Sequence, residues 1–132
     1  MIVPDASFFI ALFRRNDQLH GDAHALMMDL ESRQERMVTT THVVEETVTY
    51  IFSRDGSDAA FKVVETMLGS KNLAIEPVSL SQIRQAAAIM RKYRRLSLCD
   101  SLSVVLFKER GASRILSFDR GFDLVQGVKR LH

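Results

Sequence analysis

The chain has 132 residues, 46% of them hydrophobic and 26% charged, with a net charge of +2. That length gives one domain spanning residues 1–132, and that balance excludes disordered, fibrous and collagenous chains. The slight basic excess is compatible with nucleic acid without pointing to it, and the single cysteine, Cys99, excludes a disulfide framework.

In chain order, the first strand candidate is Met1–Val3, followed by a helical stretch from Ala6 to about Arg14. Asp17 opens a second helix with Leu19, Ala23, Leu26, Met27 and Leu30 on one side. Met37–Thr40 reads as the second strand. Behind it Val44, Val48, Ile51 and Phe52 form one helical stripe. Ser57 is expected to cap the next helix, with Phe61, Val64 and Leu68 inward and Gly69 at its end. Leu73–Ile75 reads as a strand, and Ser79 with Gln82 forms a capping box for the helix carrying Ile83, Ala87 and Met90. A last helix runs from about Cys99 to Arg110 before Gly111. Ile115–Ser117 and Val128–Leu131 complete four to five strands. Strands alternating with helices predict an α/β fold, a mainly parallel central sheet flanked by helices. With no apolar stretch near the roughly 20 residues of a bilayer span and no leader pattern, the expectation is a soluble cytoplasmic domain without a membrane partner.

In such a sheet ligands bind outside the carboxyl ends of the strands, where the helix N-termini also lie. Asp5 follows the first strand and Asp119 the fourth. Glu45 and Glu46 begin the helix after the second strand, and Asp100 begins the helix before the fourth. Singly, each acid is a good helix cap or first-turn residue. Jointly they place sequence-distant carboxylates at one edge, where they repel unless a cation sits among them. Oxygen-only donors suit Mg²⁺ or Mn²⁺, and such a metal at a phosphodiester would activate water and stabilise phosphoryl oxygens. Helical phase against the Val44/Val48/Ile51 stripe favours Glu45 over Glu46.

Four stretches resemble the PIN-domain nucleases, in particular the VapC-type toxins, from end to end. They are Ile2-Val3-Pro4-Asp5-Ala6-Ser7, Thr41–Thr49, Leu98-Cys99-Asp100-Ser101-Leu102-Ser103 and Ile115-Leu116-Ser117-Phe118-Asp119-Arg120-Gly121-Phe122. The resemblance implies a PIN-like fold and a catalytic set of Asp5, Glu46, Asp100 and Asp119. It also implies Asp5, Asp100 and Asp119 as ligands of Mg²⁺ or Mn²⁺, and Ser7 and Ser117 as supporting hydroxyls. An RNA substrate, a homodimer and a cognate antitoxin are implied with them. A housekeeping RNA-processing nuclease and a non-catalytic RNA-binding module are the alternatives.

Arg91, Lys92, Arg94 and Arg95 form the densest basic run and read either as an RNA-contacting rim or as a solvated helix end. Phe8–Phe13 is apolar on every side, more than a short helix is expected to bury, which suggests a dimer or antitoxin contact. His20 and His24 share a helix face but have no third ligand nearby. Pro4 is awkward in an inner strand.

Overall fold

The structure, a computed structural model, describes all residues 1–132. The order is β1 (Ile2–Pro4), α1 (Ala6–Phe13), α2 (His20–Ser32), β2 (Met37–Thr40), α3 (Thr41–Asp55) and α4 (Ser57–Gly69). Then come β3 (Leu73–Glu76), α5 (Leu80–Tyr93), α6 (Leu98–Arg110), β4 (Arg114–Leu116), a 3-10 turn at Arg120–Leu124 and β5 (Arg130–Leu131). No helix is long and apolar enough to cross a membrane.

All strand pairs are parallel, in the order β3-β2-β1-β4-β5. Alternate strand residues point to opposite faces, so each strand feeds two cores. Ile2, Met37, Leu73 and Leu116 join Phe8, Phe9, Ile51 and Met67 on the α1–α4 face. Val3, Val38 and Ile115 join Val104, Leu106 and Phe122 on the α6 face. Helix α6 is buried from Ser101 to Phe107, because α5 covers its outer side through Ala86 against Leu102 and Val105. Pro4 is tolerated because it ends β1; the ladder resumes one residue later, where the Asp5 N–H donates to the Leu116 carbonyl at 3.0 Å.

Three helical faces differ from the sequence expectation by about one residue; in α5 the buried residue is Ala86 rather than Ala87, and Met90 is exposed. In α3 the buried stripe is Val43, Thr47 and Ile51, while Phe52 is 58% exposed. In α4 Ala60, Val63 and Met67 are buried, whereas Phe61 and Leu68 are 65% and 64% exposed. Each of α3 and α4 carries a second stripe one residue along at helical spacing, and packing α3 against α4 selects between the two. Ser57 is not the α4 cap; Gly56 occupies that position at φ +90°, a left-handed backbone that favours glycine. Helix α2 begins at His20 rather than Asp17, whose carboxylate instead accepts the Leu19 N–H at 2.8 Å.

The Phe8–Phe13 run is mostly core. Phe8, Phe9 and Ala11 are buried, with aromatic contacts from Phe8 to Phe9 and from Phe9 to Phe13. One edge of the run still reaches the surface: Phe9, Leu12 and Phe13 line a groove of about 360 Å³ with Met27 and Met67. His20 is structural, its Nδ1 lying 2.9 Å from the Ala11 carbonyl oxygen.

Candidate active site

The chain leaves β1 at Asp5, which caps α1 by accepting the Phe8 N–H at 3.1 Å. This cap is buried, and two hydroxyls serve it: Ser7 donates to Oδ1 at 2.8 Å and Ser117 to Oδ2 at 2.6 Å. Burial outweighs those hydrogen bonds, so the Asp5 carboxyl is pushed up to about 7, with Asp100 adding a small repulsion. The serines in turn receive the loop after β4. Phe118 N–H donates to Ser7 Oγ at 3.0 Å and Asp119 N–H to Ser117 Oγ at 2.9 Å. The first and last motifs, 110 or more residues apart in sequence, are thereby joined.

Asp100 enters from the first turn of α6, in a reciprocal capping box with Ser97. Burial raises its carboxyl against the Ser97 hydrogen bonds, and the charges of Asp119 and Glu46 raise it further. Asp119 caps the 3-10 turn, accepting the Gly121 N–H at 2.8 Å. Two of these acids are therefore helix caps and the third completes a capping box, and all three lie at the same end of the sheet.

Glu46, not Glu45, is turned toward this group. Its charge is felt by both the Cys99 thiol and Asp100. Relative to the observed stripe, Glu46 lies about 100° and Glu45 about 160° from its centre, at 3.6 residues per turn. The phase argument favouring Glu45 rested on the Val44/Val48/Ile51 stripe, of which only Ile51 is buried. Burial first, then Glu46, keeps the Cys99 thiol raised and protonated.

None of Asp5, Glu46, Asp100 and Asp119 takes part in an ion pair. Arg130 of β5, whose guanidinium feels the charges of Asp119 and Asp5, is committed elsewhere. It binds Asp123 through two contacts of 2.9 Å and donates to the Ser117 carbonyl at 3.1 Å. Those Asp123 hydrogen bonds hold its pKa up, and the charges of Asp123, Asp119 and Asp5 contribute after them. Nothing in the sequence signalled Arg130, because its role depends on β5 adding beside β4. Gly121 was also missed: a Cβ there would lie 3.1 Å from Asp119 Oδ1 and 3.2 Å from Leu96 Cδ2.

An all-carboxylate set without a cationic partner fits a hard divalent ion in kind. In the present side-chain arrangement no three His, Cys, Asp or Glu groups close on one point, since each aspartate is held in its own cap. Arg91, Lys92, Arg94 and Arg95 are exposed at the end of α5 and in the turn after it. The Arg95 carbonyl would lie 3.5 Å from a Cβ at Gly121, which puts this run beside the Asp119 turn.

The chain is similar along nearly its whole length to known proteins. It is 27% identical to a VapC ribonuclease of Mycobacterium bovis and to the ribonuclease VapC13 of Mycobacterium tuberculosis, over 99% of this chain and 99% of each relative. Its fold is similar to that of VapC20 of Mycobacterium tuberculosis, a sarcin–ricin loop-cleaving toxin, with a TM-score of 0.81 and 28% identity over 91% of each chain. The PIN domain model matches residues 2–128. A parallel sheet whose carboxyl edge gathers four unpaired acids, matched to that model over almost every residue, places the chain in the PIN domain family.

Proposed function

We propose that this protein is a divalent-metal-dependent endoribonuclease and the toxin of a toxin–antitoxin pair. The observation that supports the reading is that four carboxylates without ion-pair partners, from four distant segments, lie at the carboxyl edge of the sheet. Asp5, Asp100 and Asp119 would hold Mg²⁺ or Mn²⁺, which when bound supplies Lewis-acid stabilisation of phosphoryl oxygens and acidifies water. Ser7 and Ser117 fix the Asp5 carboxylate, and the Asp119 turn is fixed on Ser117. Glu46, exposed at the rim, orients the attacking water and takes its proton. Water adds to phosphorus and the bond to the 3′ oxygen breaks, leaving 5′-phosphate and 3′-hydroxyl ends. No side-chain nucleophile is required, so positioning and electrostatics carry most of the rate.

The relatives' ribonuclease names support the reaction class. An antitoxin segment and self-association belong to the same proposal, with the groove at Phe9, Leu12 and Phe13 as the surface offered to the antitoxin. Phe13→Asp is expected to weaken antitoxin capture while leaving RNA cleavage intact.

The test is purified protein on structured and unstructured RNAs, with end mapping. Cleavage should vanish in EDTA, return with Mg²⁺ or Mn²⁺, and fall on the order of 10²-fold or more in Asp119→Ala. Cleavage that survives EDTA, or that leaves 2′,3′-cyclic phosphate, would overturn the mechanism. Expression without antitoxin should arrest growth, and Asp5→Ala should relieve the arrest. Growth unaffected by the active enzyme would turn the reading toward RNA processing.

A further inference from the structure

One outward face of α3 continues past Glu46 as a cleft of about 550 Å³, open to solvent. His42, Glu45, Thr49, Tyr50 and Ser53 line it, and Cys99 connects it to Asp100. Its length, from residue 42 to residue 53 of one helix, is about 16 Å at 1.5 Å per residue.

No lysine or arginine lines the cleft, and two carboxylates do, so it repels phosphate and favours a neutral group that donates hydrogen bonds. Glu46 belongs to the acidic group at the sheet edge, and Glu45 makes no ion pair and is exposed. His42 lines the cleft, and its Nδ1 is buried without a hydrogen-bond partner, which leaves Nε2 as the ring nitrogen available to a ligand. The Tyr50 ring carries two guanidiniums, Arg14 at 5.6 Å and Arg54 at 5.1 Å, so a base stacks there only by displacing the exposed Arg54. Arg14 is tied to Asp55 at 2.9 Å, whereas Arg54 has no carboxylate partner. The cleft therefore combines an aromatic ring, an acceptor, an imidazole and a cation at its far end.

We propose that this cleft binds an unpaired guanine of the RNA, next to the scissile phosphate. Guanine presents two adjacent N–H donors and a carbonyl on its pairing edge. A single carboxylate such as Glu45 accepts both donors, and a His42 N–H supplies the carbonyl's partner. Tyr50 stacks on the base, as aromatic side chains do with unstacked nucleotides, and Arg54 meets the neighbouring phosphate. The proposal rests on the ribonuclease reading for its connection to cleavage, but base binding is measurable without it.

The experiment uses the cleavage-impaired Asp119→Asn protein and short unpaired oligouridylates carrying one central guanosine, inosine or adenosine. The second tyrosine, Tyr93, lies within the basic run, so fluorescence is read in a Tyr93→Phe background, where Tyr50 alone reports stacking. Guanosine should bind about tenfold tighter than adenosine, with inosine between them for loss of one donor. Glu45→Gln should erase that preference. Tyr50→Leu should weaken all three oligonucleotides and remove the fluorescence quenching, and Tyr50→Phe should restore affinity. Equal binding of the three by the parent protein, or a preference unchanged in Glu45→Gln, would overturn the proposal. In the active enzyme, Glu45→Gln should cleave with relaxed base choice. Cleavage with the same base choice in Glu45→Gln and Tyr50→Leu would sink the cleft and leave the ribonuclease standing. Glu45-dependent guanine binding without any cleavage would do the reverse.

Discussion

Asp5 performs two tasks that conflict at neutral pH. Its side chain caps α1, yet burial lifts its carboxyl to about 7. A raised carboxyl binds its proton more tightly in the folded than in the unfolded chain. Its contribution to stability is thus full below the unfolded value of 3.8 and is lost as pH rises through about 7. Asp5→Asn, which cannot ionise, should therefore melt higher than the parent at pH 8 in EDTA, with the gain shrinking toward pH 4. Melting curves across that range check it, and a gain independent of pH would contradict the cause. Gly121 works by absence of a side chain. Gly121→Ala would press on Asp119 Oδ1 and Leu96, so we expect a folded protein with cleavage reduced about tenfold or more, because carboxylate placement governs rate. Circular dichroism beside a kinetic assay separates that from unfolding.

At the scale of elements, the capping boxes were readable in sequence because their partners are three residues apart. Ser79–Gln82 and Ser97–Asp100 both form as local chemistry demands. Helix faces were less readable. In α4, Phe61/Val64/Leu68 and Ala60/Val63/Met67 are both spaced for a helix, and only the packing of α3 selects the second. Met67→Ala should consequently cost about 2–5 kcal/mol, while Phe61→Gln and Leu68→Gln should each change stability by about 0.5 kcal/mol or less. Urea unfolding measures all three, and comparable losses at Phe61 would place it in the core. Gly111, at φ +59°, ends α6 in a left-handed cap, consistent with the helix stop the sequence announced there.

For the molecule as a whole, the candidate site combines acids that repel with an exposed basic run beside them. Mg²⁺ or Mn²⁺ at millimolar concentration should raise the melting temperature by binding the folded state, and Asp119→Asn should blunt that rise. No shift with either ion would contradict the metal reading. If Arg94 and Arg95 contact RNA phosphates, replacing both by Gln should weaken binding at low salt. It should also reduce the slope of log affinity against log salt by about 1.4, at roughly 0.7 per contact on a single strand. An unchanged slope would leave the run as a solvated helix end.

The sequence alone determined the strand–helix alternation, the parallel sheet and the places where acids leave strands or open helices. Hydrophobic period and capping chemistry are local and need no distant partner. It could not choose between Glu45 and Glu46, since that choice depends on the rotation of α3, set by burial of Val43 and Thr47 rather than the more apolar neighbours. Nor could it find Arg130, which reaches Ser117 and Asp123 only because β5 pairs with β4, or the cleft whose wall joins α3 to Cys99 of α6. Those features arise from contacts between segments far apart in the chain, and only the packed structure decides which side of each helix those contacts use.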